Sequence, residues 1–250
     1  MAGNSLARYL TIINYRTLIV VLLSILVPYV AYEFKMEYNF DLTLISIAII
    51  FPLVFTIRGA FRRREKALEH LSRFRSSLKT VENLINMNAN LTDQEKSKVM
   101  NLIKDVNHGL FHFLEASSED SSDFDQKLKK LIDFIIQNKE AISGGSKQKL
   151  FRFTKDVAES SDNLIGIHTH RTPISLKAYC LIFIYIFPVI YTPTIINKLG
   201  TDNPEWLTYF IVVLSEFILI SLYNIQDQME YPFDLDGLDD IKLEKFKVDR

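Results

Sequence analysis

"ISIAIIFPLVFTIRGAFRRREKAL", residues 45–68, changes character in its middle. Up to Ile57 the stretch is greasy enough for hydrocarbon. From Arg58 it carries Arg58, Arg62, Arg63, Arg64 and Lys66. A helix leaving a bilayer core has this pattern, because a charge is costly at the bilayer centre and tolerated at its edge. Within the apolar half, Ile47, Phe51 and Phe55 recur every four residues. At about 3.6 residues per turn, steps of four keep the three on one helix face.

Three further apolar runs have the same composition. The full set is 17–32, 42–57, 179–196 and 206–223, each of 16 to 18 residues. That is the short end of what crosses ~30 Å of hydrocarbon. Aromatic flanks such as Tyr15, Phe40 and Trp206 extend the runs into the interface. Near-continuous apolarity leaves no polar stripe to face water, which argues against four core helices of a soluble protein. The sequence therefore predicts spans at about 17–34, 41–58, 178–197 and 205–223. Arg8 and Arg16 precede the first span, the Arg58–Lys66 cluster follows the second, and Arg171 and Lys177 precede the third. The short loops 33–41 and 197–205 carry few positive charges. The positive-inside rule then places both termini and the middle segment in the cytoplasm of a multi-pass protein, with the cell membrane as its expected location.

The bulk numbers hide this segregation. The 250 residues carry a formal charge of −1, with 48% hydrophobic and 24% charged residues, and the mean hydropathy is +0.09. Near-neutral charge argues against the sustained basic face that nucleic acid requires, so no nucleic-acid partner is expected. Cys180, the single cysteine, excludes an internal disulfide and reads as a buried inert thiol. The start of the chain lacks a compact signal-peptide pattern, so the first run reads as a retained span.

The region 59–176 reads as a cytoplasmic helical bundle continuing the membrane helices. Thr92 to Glu95 forms a capping-box pattern ahead of Val99, Leu102, Ile103 and Val106. Leu128, Leu131, Ile132, Ile135 and Ile136 make a second amphipathic run. The acidic, serine-rich stretch 117–123 and the Ser-Gly-Gly-Ser stretch 143–146 read as breaks. Neither an internal repeat nor a domain boundary is evident.

Three segments together resemble the bestrophin family of pentameric ion channels. The stripe Ile47, Phe51, Phe55, followed by Phe61 and Arg63, is similar to the family's second transmembrane helix. Arg171-Thr-Pro-Ile174 is similar to the motif that introduces the third span in bacterial members. Asp227 to Asp240 resembles the acidic–Pro–Phe–acidic run after the last span. Their order relative to four spans gives the match its specificity. It covers a little over half the chain, and the middle, about 85–150, is unmatched. The sequence departs from the family at Asp234, where glycine is usual, and at Leu235, Gly237 and Leu238, which interrupt the acidic run. It also lacks the long tail of animal members.

The resemblance implies an all-α integral membrane protein, a single channel subunit over 1–250. Its four transmembrane helices would continue into a cytoplasmic helical bundle and assemble as a ring-shaped homopentamer in the lipid bilayer. The partners are then copies of itself, lipid and permeant inorganic ions. Around an axis, Ile47, Phe51 and Phe55 would form three stacked apolar rings, a neck that gates by dewetting. Pro52 inside the stripe permits a kink. The candidate vestibule charges are Arg58, Arg62, Arg63 and the intramembrane Glu216, an ionisable residue whose default reading is functional. The arginines from Arg58 to Arg64 would favour anions only if they face the vestibule, and chloride comes first on the example of animal members. Asp41 and the C-terminal acids favour cations, as in at least one bacterial type.

Asp234, Asp236, Asp239 and Asp240, within the C-terminal segment 227–250, offer the hard oxygen ligands calcium takes. They fail the EF-hand spacing, since Gly237 as sixth position puts Pro232 first and Leu243 twelfth. In animal bestrophins this region supplies a calcium clasp, and bacterial relatives generally lack calcium gating. The expectation is no resident cofactor and weak or absent calcium dependence. His168 and His170 have no further ligands beside them. No nucleophilic elbow or phosphate loop is present, so no enzyme is expected. The rival from another class is a membrane-anchored scaffold or sensor whose helical middle binds a partner.

Overall fold

A computed structural model describes residues 12–116, 120–138, 140–142, 144–200, 203–235, 237 and 239–249. Seven α-helices of the described residues carry the fold: α1 Tyr15–Glu33, α2 Thr43–Asn86, α3 Asp93–Glu115, α4 Ser122–Gln137, α5 Gly144–Thr169, α6 Ile174–Leu199 and α7 Glu205–Met229. A 3-10 turn, Leu243–Phe246, follows. Among the described residues there is no strand. Four helices, α1, α2, α6 and α7, are long and apolar enough to cross a membrane. The chain divides into two compact units, 1–62 with 172–230, and 63–171 with 231–250. The division falls inside α2, whose 44 residues run on without interruption.

In the first unit α1, α6 and α7 pack against one another. The apolar half of α2 joins them through Ile49 and Leu53, which share a core with Val20, Cys180, Ile184, Phe187 and Ile220. Asn14 starts α1 by accepting from the Arg16 and Thr17 amides, which satisfies donors a helix start leaves open. Gly200, at φ +67°, ends α6. That left-handed backbone suits a residue without a Cβ.

The helices carry Pro28, Pro52, Pro188 and Pro193 internally. Each proline lacks the N–H that would bond the carbonyl four residues earlier. At Pro52 the carbonyl so released belongs to Ala48, and the Tyr179 hydroxyl donates to it at 3.3 Å. Hydroxyls on buried helix faces are satisfied locally: Ser24 donates to the Val20 carbonyl at 2.7 Å and Thr56 to that of Leu53 at 2.8 Å.

The second unit is built on the polar half of α2. Ala67, Leu71, Phe74, Leu78, Val81 and Ile85 alternate steps of four and three and are all buried. They meet Val99, Ile103 and Val106 of α3, Leu128, Leu131 and Ile135 of α4, and Leu150, Val157 and Leu164 of α5. The Thr92–Glu95 capping box forms: the Glu95 amide donates to the Thr92 hydroxyl at 3.3 Å, and the Thr92 amide to the Glu95 carboxylate at 2.8 Å. The Thr92 amide, then its hydroxyl, holds the Glu95 carboxyl below the usual carboxylate range. Two details differ from the sequence reading. Ile136 is exposed, because Phe124 and Phe134 fill the buried face of α4 beside Leu131 and Ile135. Gly144 and Gly145 lie inside the first turn of α5, so the break comes before them.

Candidate functional site

On α2 the residues 44–62 separate into two faces. Ile49 and Leu53 are 2% and 1% exposed, and Thr56 and Ala60 are buried with them. Ile47, Phe51 and Phe55 are 45%, 56% and 61% exposed. The separation follows from helical spacing: two residues on from Ile47 or Phe51 lies the packed side, four on lies the open side. The Phe51 and Phe55 ring centroids are 6.2 Å apart at 37°, a tilted aromatic pair. Leu44, Ile50 and Val54 widen the open face. The face is thus apolar throughout, with nothing on it to replace an ion's hydration.

The basic end follows. Arg58 and Arg62 are exposed. Arg63 belongs to the second unit, where it lines a cleft of ≈ 420 Å³ together with Glu159, Asp162, Asn163 and His170. One of its terminal nitrogens, Nη1, is buried without an acceptor. Arg64 donates to the Asp239 carbonyl at 2.6 Å. The basic cluster therefore does not act as one body: two arginines are open, and two serve the second unit.

Glu216 is fully buried in α7, and neither carboxyl oxygen has a donor. Its depth follows from hydrogen bonds on either side. Tyr32 and Thr208 pair through their hydroxyls at 2.8 Å, and Asn224 donates to the Thr17 hydroxyl at 3.0 Å. These fix α1 and α7 antiparallel and put Glu216, midway between Thr208 and Asn224, level with Ser24. The Ser24 carbonyl is the one Pro28 leaves without its helical donor.

A charge cluster that the sequence reading missed closes one end of the first unit. Arg16 of α1 bonds Asp227 at 2.9 Å, and Lys177 of α6 bonds both Asp227 and, at 2.9 Å, Glu230. The Arg16 guanidinium also lies 5.5 Å from the centroid of the Tyr223 ring. The sequence counted Arg16 and Lys177 toward orientation and Asp227 and Glu230 toward the acidic run. Their equal depth at the ends of three predicted spans was the available signal.

The Pro-Phe run is anchored in the second unit. Phe233 is buried in its core, 6.3 Å from the His168 ring, which in turn meets Phe113 edge-on at 5.2 Å. Arg171 stacks on Tyr231 at 4.1 Å. The Ile241 amide donates to the Pro232 carbonyl at 2.8 Å. Leu235 takes φ +66°, and the Asp240 carboxylate accepts from the Gly237 amide. A Cβ on Gly237 would lie 2.6 Å from that carboxylate, so a side chain there would displace Asp240. Asp234 is exposed, and Asp236 lies outside the described residues. Among the described residues no three His, Cys, Asp or Glu side chains converge as metal ligands.

Comparison with known proteins gives the fold a precedent. No family model matches the chain, and no curated protein is similar to it in sequence. Solved structures do match. A point variant of a bacterial bestrophin homologue from Klebsiella pneumoniae superposes with a TM-score of 0.75 at 16% identity, covering 93% of both chains. A second variant of that homologue gives the same values, and a third covers 93% of this chain and 95% of its own. At that identity the likeness is one of fold. The chain has the bestrophin fold, all-α, and with its four apolar helices it is an integral membrane protein.

Proposed function

We propose that the protein is a passive ion channel, a ring of copies in which α2 lines the axis and Ile47, Phe51 and Phe55 form the neck. The observation that carries this reading is the two-faced α2. Its packed side is sealed by Ile49 and Leu53, and its open side is an unbroken apolar strip bearing the phenylalanine pair. In a ring, five phenylalanines at one level would leave an ion little room and no polar group to replace its water. Such a constriction blocks by staying dry. The reading keeps both termini in the cytoplasm and the ring in the cell membrane, and it involves no covalent chemistry.

Single-channel recording of purified protein in planar bilayers tests it. The parent should give unitary currents, and replacing Ile47, Phe51 and Phe55 together by alanine should raise open probability several-fold. Ile49→Ala, on the packed side, should alter stability and leave conduction near the parent's. Absence of unitary currents, or a triple variant that conducts like the parent, refutes the neck.

Chloride is the first candidate ion, on the strength of exposed Arg58 and Arg62. A cation-selective channel is the second reading, supported by the acids Glu159 and Asp162 that line the same cleft as Arg63. The sign of the reversal potential in a salt gradient separates the two. The acidic run acts in this proposal as a strap rather than a calcium clasp, supported by buried Phe233 and the Asp240–Gly237 bond. Currents should be insensitive to micromolar calcium. Activation that vanishes in Asp239→Asn/Asp240→Asn would restore the clasp.

A further inference from the structure

Within the second unit, one face of α2 is basic and hydroxylic. Ser72, Arg75, Ser76, Lys79 and Thr80 follow helical spacing, and the opposite face, with Leu71, Phe74 and Leu78, is buried in the core. The helix therefore holds these five side chains on a fixed support. Lys245 and Phe246 of the final 3-10 turn complete a cleft of ≈ 470 Å³ around them. That volume is in the range of small-ligand sites, about 300–1,000 Å³.

The lining contains three cationic side chains and no carboxylate. Like charges gathered in one concavity repel, more so where walls exclude water. Glu244 does not line the cleft and pairs instead with Lys247 at 3.4 Å. Arg75 gives its Nε proton to the Lys247 carbonyl at 3.1 Å, which fixes the plane of the guanidinium and leaves the outer edge of the fork for an acceptor. Thr80 donates to the Ser76 carbonyl, so Ser72 and Ser76 are the hydroxyls free to turn toward a guest. A halide can take the charge but few of these donors at once. A tetrahedral oxyanion with several acceptor oxygens can use the fork, the ammonium groups and the hydroxyls together.

We infer that this cleft binds a phosphoryl group, as a soluble phosphate compound or as a phospholipid headgroup. The ligand bridges α2 and the C-terminal turn through Lys245, so its binding tightens the docking of 243–249. This goes beyond ion conduction and stands independently of it.

Titration calorimetry of the full-length, detergent-solubilised protein with pyrophosphate, at fixed ionic strength, is the first arm. Nanodiscs of phosphatidylcholine with and without phosphatidylinositol bisphosphate are the second. The expected result is saturable pyrophosphate binding, weakened at least about tenfold in Lys79→Gln/Lys245→Gln, since two charge-assisted contacts are lost. Ser72→Ala/Ser76→Ala, which leaves the charge unchanged, should weaken binding several-fold and covers the case in which the charge variant does not fold. Binding confined to phosphoinositide nanodiscs, and lost in the same variants, upholds the site and assigns it to a lipid headgroup. No binding in either arm, binding unchanged in both variants, or equal preference for chloride overturns the inference.

Discussion

Glu216 is fully buried in α7, without a donor to either oxygen. A bare carboxylate in such a place is costly, because desolvation is unrelieved by a partner. A carboxyl that keeps its proton can instead give it to an acceptor, and the Ser24 carbonyl released by Pro28 stands at its level. An amide at this position would supply the same donor with nearly the same shape. Glu216→Gln should therefore fold and assemble within about 1 kcal/mol of the parent, as expected for exchanging one neutral hydrogen bond for another. Glu216→Lys should fail to yield folded protein. The reversal potential of Glu216→Gln separates packing from permeation: no change assigns the carboxyl to packing, and a shift places it on the ion path. Ser24 and Pro28 were visible in the sequence, but their relation to Glu216 needs the antiparallel register of α1 and α7. That register is set by Tyr32–Thr208 and Thr17–Asn224, pairs far apart along the chain.

At the level of elements, the sequence read well wherever one residue type repeats with a helical period. Three of the four apolar runs lie within a helix and the fourth, 42–57, does so from its second residue, and the Thr92–Glu95 box opens α3 as its spacing required. Long-range pairing was opaque to that method. The cluster of Arg16, Lys177, Asp227 and Glu230 joins residues up to 211 positions apart, and Phe233 enters a core whose other members lie mostly before residue 165. Neither has a local signature. The glycine pair 144–145 misled for a different reason. Glycine lowers helix propensity but does not forbid the first turn, where few intrahelical bonds exist to be weakened. The charge cluster also carries a stability argument. Glu230 is 2% exposed, with one oxygen on Lys177 and the other, Oε1, without a donor. Lys177→Met removes the one cation bonded to Glu230 among the described residues and leaves a buried carboxylate without it, which should cost about 3 kcal/mol. Thermal unfolding in detergent reads the loss. Lys177→Met/Glu230→Gln should recover most of it, because Arg16 still holds Asp227. A double variant as unstable as the single one would mean that Lys177 acts by packing.

At the level of the whole molecule, the first unit presents more apolar surface than one lipid-facing side requires. Leu18, Leu22 and Leu26 of α1, Ile182 and Ile186 of α6, and Phe210 and Leu214 of α7 are all exposed, in addition to the open face of α2. Lipid accepts such residues, so exposure alone does not demand a partner. The α2 face differs in leading directly into Arg58 and Arg62, on the same exposed side. Pointed at lipid, it would carry those arginines along the outer wall. Pointed at an axis, it sets a dry constriction beside a ring of positive charge, with charge selection and the barrier to flow on separate residues. Closed rotational symmetry is the arrangement that gives every copy this environment without leaving an unpaired edge. The prediction is a complex of about 145 kDa of protein, five chains of 29.0 kDa, by native mass measurement or by light scattering corrected for detergent. Phe51→Ala/Phe55→Ala should leave that mass unchanged, since the proposed role of both rings lies at the axis rather than between neighbouring copies. If the pair falls apart into single chains, the phenylalanines are interface residues and the neck must be sought elsewhere. A parent that is a stable monomer or dimer in mild detergent removes the axis altogether, and the channel reading with it.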